Sequence, residues 1–216
     1  MARIHVLNQV IFKNRQDAGE LLAEHVRVYR GKNVLILGLS RGGIVVARTV
    51  AKMLNIPFDV LVVKKLSSPY EPELAIGALA PDGISVIHSK DARRVGADEE
   101  YVRIQITKLK DYIKRKTLYY RRGNKPHRVL GKTVILVDDG AATGATMEVA
   151  VRWARKKRAA KIIVALPVAS LEAMNTIRSE VDALIVHAST DALGSVGEFY
   201  QSFEQVEDSE VIKLLQ

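Results

Sequence analysis

The chain contains no cysteine, and aromatic residues make up only 6% of its 216 residues. The absence of cysteine excludes disulfides, thiol nucleophiles and metal sites with cysteine ligands, although it leaves the redox compartment open. No apolar run reaches the roughly 18 residues needed to span a bilayer, and the first ten residues contain no signal-peptide core. We therefore expect a cytoplasmic protein without a membrane segment.

Positive charge is in excess, because 33 Lys and Arg residues face 24 Asp and Glu residues and give a net charge of +9. Much of the excess lies in two basic clusters, residues 108–128 and 152–161. Such a surface attracts phosphate groups of any kind. Charge alone carries little specificity, so nucleic-acid binding stays one hypothesis. The other is a pair of solvated helix faces that attract small phosphorylated substrates.

Short apolar runs alternate with segments of helical periodicity, which predicts one α/β domain, residues 1–216, with a central, mostly parallel sheet flanked by helices. The runs have continuous apolar centres, as expected for strands covered on both faces. Residues 73–88 predict a hairpin around a Pro-Asp-Gly turn, and an insertion spans about residues 90–128. The predicted strands are 33–39, 58–65, 133–139, 161–169 and 181–189, and the predicted helices are 14–29, 42–54, 98–122, 145–157 and 170–180.

One loop consists almost entirely of Gly, Ala and Thr and follows two adjacent acids, in the stretch VILVDDGAATGATM, residues 134–147. A predicted strand precedes the loop and a predicted helix follows it. The loop therefore lies at the carboxyl edge of the sheet, where open α/β folds bind ligands. Small residues let the backbone approach a ligand, and unpaired N–H groups at a helix start attract phosphate. This pattern indicates a monophosphate cradle of Gly140, Ala141, Ala142, Thr143, Gly144, Ala145 and Thr146.

The two acids, Asp138 and Asp139, suit vicinal hydroxyl groups or a hydrated Mg²⁺ ion. A P-loop is excluded because Gly144 is followed by Ala and Thr rather than by Lys and Ser or Thr. The loop also lacks the dinucleotide fingerprint G-x-G-x-x-G. A ribose 5-phosphate carries hydroxyl groups at one end and a phosphate at the other, so the residues indicate a site for such a sugar phosphate.

The same stretch resembles the phosphoribosyl-pyrophosphate (PRPP) motif of type I phosphoribosyltransferases, which has four apolar residues, two acids and a Thr-Gly-x-Thr loop. The resemblance covers about residues 12–203 and is strongest to bacterial and archaeal proteins predicted to be phosphoribosyltransferases. It implies the fold of that family and transfer of the 5-phosphoribosyl group of PRPP to a nitrogenous base with release of pyrophosphate. It also implies Mg²⁺ as cofactor and a homo-oligomer. By this resemblance, Asp138 and Asp139 position the ribose and hold Mg²⁺, directly or through water.

A second segment, LGLSRGGIVVA at residues 37–47, is similar to the family's pyrophosphate loop. The resemblance implies that Arg41 contacts pyrophosphate, together with Ser40 and the backbone N–H groups of Gly42 and Gly43. It also implies a cis peptide bond between Ser40 and Arg41. The residues alone fit an ordinary tight turn equally well.

A third segment, residues 62–79, resembles the part of these enzymes in which basic residues precede a mobile catalytic loop. The resemblance makes Lys64 and Lys65 candidates for phosphate contacts, with Lys65 in a catalytic role. Residues 67–73 are then the candidate lid. A surface loop stiffened by Pro69 and Pro72 is the alternative, and two prolines would limit the motion of a lid.

By the same resemblance, the C-terminal residues, about 189–211, form a hood over the acceptor base. Phe199 or Tyr200 could stack on an aromatic acceptor, and packing in the core is the alternative. No acceptor motif for hypoxanthine, adenine, orotate or uracil is complete, so the purine or pyrimidine base stays open. The alternative function is a PRPP-sensing regulator of the same fold that binds nucleic acid through the two basic clusters.

Overall fold

The structure is a computed structural model that describes residues 12–31, 33–71, 74–191 and 193–216. Its centre is a parallel sheet of five strands, and a second sheet of three antiparallel strands lies beside it. The strands are β1 (Val34–Leu39), β2 (Phe58–Leu61), β3 (Lys64–Ser67), β4 (Ala75–Leu79), β5 (Ser85–Ile87), β6 (Thr133–Val137), β7 (Lys161–Ser170) and β8 (Ala183–Thr190). The order is β2-β1-β6-β7-β8 in the large sheet and β3-β4-β5 in the small one.

The predicted alternation of strands and helices is confirmed, and several helix ends have a local cause. The side chains of Asn14 and Asp98 accept hydrogen bonds from the backbone N–H groups of Asp17 and Tyr101, so each caps a helix. Asn55 ends another helix in the left-handed conformation. The helices are α1 (Arg15–Val26), α2 (Gly42–Leu54), α3 (Ser89–Arg94), α4 (Glu99–Arg121), α5 (Ala145–Lys156), α6 (Leu171–Arg178) and α7 (Asp208–Leu214).

Helices cover both faces of the large sheet. Alternate residues of β1 point to opposite faces, so Ile36 packs with α1 and α2, whereas Leu35 and Leu37 pack with α5. Leu22 of α1 and Met147 of α5 are both fully buried. Covering both faces explains why the central strands are apolar along their whole length.

The predicted strand 58–65 is wrong as a single element. Its first half is β2, which pairs with β1 in parallel, and its second half belongs to β3, which pairs with β4 antiparallel. Val62 and Val63 are buried between the two strands. A continuous β-branched run does not indicate where the chain changes its pairing partner, because that partner is distant in sequence.

The predicted hairpin and insertion are confirmed. β4 and β5 pair antiparallel across a 3₁₀ turn, Pro81–Gly83, in which Asp82 and Gly83 have positive φ values of 61° and 73°. The insertion contains α3 and α4, and the apolar stripe of α4 packs through buried Ile113 and partly buried Leu109. Within the described ranges, no helix is both long and apolar enough to cross a membrane.

Candidate active site

The two glycine-containing loops lie side by side at the carboxyl edge of the large sheet. β1 and β6 are parallel neighbours, so the residues that follow them meet at the same edge. A Cβ atom on Gly43 would lie 2.6 Å from Cα of Asp138, and one on Gly42 would overlap the carboxylate of Asp139. Only glycine permits this close approach, so the structure brings the predicted pyrophosphate loop directly against the two acids.

The cradle is held by hydrogen bonds to the neighbouring strand. The backbone N–H of Ala141 donates to the carbonyl of Val168 at 3.0 Å, and the N–H of Ser170 donates to the carbonyl of Ala141 at 2.9 Å. The hydroxyl of Ser170 donates to the carbonyl of Ala142. These contacts fix the first half of the loop, so its shape is set by β7 rather than by packing of its own side chains.

The second half of the cradle leads directly into α5. Gly144 precedes the helix with a φ of 79°, and a Cβ atom there would lie 3.2 Å from Cα of Ala173. Among the described residues, no side chain caps the start of α5. Thr143 is exposed, and Thr146 is partly exposed. N–H groups at the start of a helix attract phosphate, so this part of the loop stays the candidate phosphate site.

The two acids have different surroundings. Oδ1 of Asp138 accepts a hydrogen bond from the backbone N–H of Asp139 at 2.9 Å, while Oδ2 of Asp139 accepts one from Nε of Arg15 at 2.7 Å. Burial raises the pKa of Asp138 well above its usual range, and the charge of Asp139 adds to this, whereas the charge of Lys65 opposes it. Asp138 therefore lies where a hydrogen-bonding partner or a positive charge would stabilise its ionised form.

Arg15 is a site residue that the sequence analysis missed. Besides its contact with Asp139, its Nη1 donates to the carbonyl of Glu204 at 2.7 Å, and its guanidinium carbon lies 3.8 Å from the ring centroid of Phe203. Its side chain is only 11% exposed. No local signal marks this role, because Arg15 and Asp139 are 124 residues apart in the chain. Arg15 connects the acids to the C-terminal segment.

Phe199 and Tyr200, the two candidates for stacking on a base, are both buried, which fits the alternative of packing in the core. Each is 5% exposed, and they form a cluster with Phe12 and Val168. The hydroxyl of Tyr200 donates to the carbonyl of Asp139 at 2.6 Å, and burial raises the pKa of this hydroxyl. Tyr200 thus supports the loop at Asp139, and both rings pack in this cluster.

The predicted phosphate-binding residues lie around the same edge. The Ser40–Arg41 peptide bond is cis, as the resemblance implies. Nη1 of Arg41 lies 3.9 Å from Oδ1 of Asp208, which also binds residues of α4. Lys64 and Lys65 are exposed neighbours on β3, and Nζ of Lys64 lies 5.5 Å from the ring centroid of Tyr112. Alternate side chains of a strand point to opposite faces, and the positive charge of Lys65 lowers the pKa of Asp138, against the effect of burial.

The predicted lid, residues 67–73, is described only as far as Glu71. Pro72 and Glu73 lie outside the described residues. In the described part, the hydroxyl of Ser68 donates to the carbonyl of Glu71 at 2.8 Å, and the N–H of Glu71 donates back to that hydroxyl at 3.0 Å. This part of the loop is therefore a hydrogen-bonded turn, and its closure over the site stays a prediction.

Comparison with known proteins gives the family. A family model of the phosphoribosyl transferase domain matches residues 11–190. A provisionally named phosphoribosyl transferase of Mycobacterium tuberculosis is 37% identical over 205 residues, which cover 95% of this chain and 46% of that protein. The chain thus spans about half the length of the curated relatives that it matches.

Solved structures agree with the sequence match. A Thermus thermophilus protein of known crystal structure is 34% identical in sequence to this chain. The match covers 95% of this chain and 97% of the Thermus chain, with a TM-score of 0.79. A Neisseria gonorrhoeae protein crystallised with ppGpp is 15% identical, covers 98% of both chains and has a TM-score of 0.50, which shows a shared fold alone. With the two loops already placed on β1 and β6, the chain belongs to the phosphoribosyl transferase domain family and has the type I phosphoribosyltransferase fold.

Proposed function

We propose that the protein transfers the 5-phosphoribosyl group of PRPP to a nitrogen of a purine or pyrimidine base and releases pyrophosphate. The proposal rests mainly on one observation. The loop of residues 40–43 lies against Asp138 and Asp139, and the cradle follows directly. Groups suited to pyrophosphate, to sugar hydroxyls and to a 5′-phosphate thus occur in the order in which PRPP carries these parts.

The proposed reaction needs positioning and charge stabilisation but no protein nucleophile. Breaking the bond between ribose C1 and the pyrophosphate oxygen leaves positive charge on the sugar and negative charge on the leaving group. The base nitrogen then forms the new bond to C1 from the opposite face, with inversion to the β-nucleotide. In this reaction Asp138 and Asp139 hold the ribose, the cradle holds the 5′-phosphate, and Arg41 and Lys65 stabilise the departing pyrophosphate.

The donor set also suits Mg²⁺. Within the described ranges no group of three or more His, Cys, Asp or Glu side chains could hold a metal ion. Asp138 and Asp139 offer two carboxylates at one edge, which fits an ion that keeps several waters and takes further ligands from substrate phosphates. Asp138 and Asp139 would hold this ion, directly or through water. When bound, Mg²⁺ would neutralise the negative charge of the phosphate groups as pyrophosphate leaves.

Some of the basic side chains that suggested a nucleic-acid regulator form ion pairs or hydrogen bonds within the protein. In the first cluster Lys116 binds Asp208, and in the second Arg152 pairs with Glu148 at 2.8 Å. Arg155 donates to the carbonyl of Glu180. These side chains stabilise the fold, so the net charge overstates what is free to bind nucleic acid. We therefore favour transfer over the regulatory alternative. Assembly as a homo-oligomer stays a prediction.

The proposal is tested by pyrophosphate release from PRPP and Mg²⁺ in the presence of single purine and pyrimidine bases, beside a control without base. We expect release with one base or a small group of related bases. The double variant Asp138→Asn, Asp139→Asn should lose both release and PRPP binding by calorimetry, because the ribose contacts are gone. Glu99→Gln with Glu100→Gln removes the same charge at the start of α4 and serves as the matched control.

The outcomes separate the two functions. PRPP binding without release from any base, together with salt-dependent RNA binding, would favour the regulator. Unchanged PRPP affinity in the double aspartate variant would refute the assignment of the acids.

A further inference from the structure

A cavity of about 770 Å³ lies beside α4, and its lining contains no residue of the cradle, the two acids or the loop of residues 40–43. The carbonyl of Leu61, on its wall, accepts a hydrogen bond from the N–H of Ser40 at 3.2 Å. Its walls come from β2, the Pro81–Gly83 turn, α4 and the last turn of α5. α5 begins at the cradle, and Trp153, on the cavity wall, comes eight residues later, about 12 Å along the helix axis. The size of the cavity is within the range of small-molecule sites.

The interior of this cavity is apolar, and the apolar surface continues to its mouth. Leu37, Leu61 and Ile113 line it and are each about 2% exposed. At the mouth, Leu118 and Leu130 are 64% and 43% exposed, although both are large apolar side chains. An apolar ligand that covered these two residues would remove them from water, which is favourable.

The acids on the wall are mostly satisfied within the protein. Asp59 is 6% exposed and accepts hydrogen bonds from Nε and Nη2 of Arg121 at 3.2 and 3.0 Å. Asp82 pairs with Lys157 at 2.9 Å, and hydrogen bonds from Lys157 and then from Trp153 lower the pKa of Asp82. These pairs fix the wall and leave Arg121 and Lys157 with little free charge.

The remaining cations give the mouth a positive charge. Lys110, Lys114 and Arg128 line the cavity, are exposed, and form no ion pair with any part of the chain that the structure describes. The remaining acid among the lining residues is Asp111. Three cations therefore face one acid around an apolar interior.

We propose that this cavity is a binding site for a small amphiphilic anion. The apolar part of the ligand lies against Leu37, Leu61 and Ile113, and its phosphate, sulfonate or carboxylate group binds Lys110 and Lys114. The site does not depend on the proposed transferase reaction, because its lining shares no residue with the cradle or the acids.

The wall of the cavity contains an intrinsic fluorophore, Trp153. Trp153 is the only tryptophan of the chain, and its Nε1 donates to Oδ2 of Asp82 at 3.1 Å, which holds the ring in place. Energy transfer from Trp153 therefore reports a fluorophore bound near this wall, and the variants below assign it to the cavity. A suitable probe is 8-anilinonaphthalene-1-sulfonate, which combines an aromatic body with one anionic group.

The experiment titrates the full chain with this probe and follows energy transfer from Trp153. We expect saturable binding of one probe per chain that PRPP does not displace. Lys110→Glu with Lys114→Glu should weaken binding at least tenfold because the anionic group loses its partners. Thr117→Phe should weaken it similarly because the new ring fills the cavity. Near-ultraviolet circular dichroism checks that each variant keeps its fold.

Matched controls separate this site from general attraction of anions. Lys108→Glu with Arg115→Glu makes the same charge change on α4 at residues that do not line the cavity, and it should leave affinity within about twofold. N-phenyl-1-naphthylamine, which lacks the sulfonate, should bind the charge variant and the parent chain equally. The proposal is overturned by absence of energy transfer, by displacement with PRPP, or by equal effects of the test and control charge variants. It is also overturned if neither the charge variant nor Thr117→Phe changes the affinity.

Discussion

The cradle at residues 140–146 and the cavity beside α4 are both candidate anion sites, but they are built from different parts of the chain. The cradle is one continuous segment of small residues that leads into the start of α5. The cavity collects long side chains from β2, α4, α5 and a turn. The cradle has only small side chains, whereas in the cavity long side chains supply both the apolar surface and the charge.

This difference determines how each region responds to substitution. Backbone sites tolerate almost no added atom, because the main chain around them cannot move far without losing hydrogen bonds. Side-chain sites lose affinity in steps, since each residue contributes separately. Substitutions at the carboxyl edge of the sheet should therefore have larger effects than substitutions near α4.

The largest effect is expected at Gly43. A Cβ atom there would lie 2.6 Å from Cα of Asp138, so Gly43→Ala must displace the acid or its own loop. We expect PRPP binding to weaken about 100-fold, close to 2.7 kcal/mol, as measured by calorimetry. Gly194→Ala is the control, because the nearest described atoms to its Cβ would be those at the end of the flexible Glu198 side chain. Similar affinities for the two variants would show that close approach at residue 43 is unimportant.

An intermediate effect is expected at Arg15. Its side chain binds Asp139, which precedes the cradle in the chain. Arg15→Met leaves a mostly buried carboxylate without its partner and frees the C-terminal segment at Glu204. We expect PRPP affinity to fall about tenfold, or ~1.4 kcal/mol. Arg15→Lys should recover only part of it, because lysine cannot make two fork-like contacts.

The control for this prediction is Arg27→Met. Like Arg15, Arg27 forms an ion pair, in this case with the nearby Glu24. Its side chain is 71% exposed, so removing this pair should have little effect on PRPP affinity. Unchanged PRPP affinity in Arg15→Met would contradict a positioning role for this residue.

The smallest effect is expected at Asp208, which contacts Arg41 and two residues of α4, Lys116 and Tyr120. Hydrogen bonds from Lys116 and then from Tyr120 lower its pKa, so the ionised carboxylate stabilises the fold above its unfolded pKa of about 3.9. This stability is lost as pH falls through the lower, folded-state pKa. Asp208→Asn should reduce the melting temperature at pH 7 by a few degrees at most, and the difference should shrink below pH 3.

Thermal unfolding at both pH values tests this prediction. Asp91→Asn, which removes an exposed partner 3.9 Å from Arg94, should have almost no effect at either pH. A difference between Asp208→Asn and the parent chain that is the same at acid and neutral pH would mean that the carboxylate charge is not responsible.

The position of the acids and the cradle in the fold was predictable because its signals are local. The acids, the cradle and the start of α5 follow one another in the chain, and each depends on its immediate neighbours. The predicted limits of α2 agree with the structure, and the Pro-Asp-Gly turn joins two strands as expected. The cis bond at Ser40–Arg41 came from family resemblance rather than from physical inference.

By itself, the sequence determined the alternation of strands and helices and placed a phosphate-type loop after two acids. Only the tertiary structure decided that Arg15 reaches Asp139, that Phe199 and Tyr200 are core residues, and that residues 58–65 are divided between two sheets. The cavity beside α4 is also a tertiary feature. Local patterns reflect backbone geometry over a few residues, whereas these contacts depend on which distant surfaces pack together, and no short stretch of sequence carries that information.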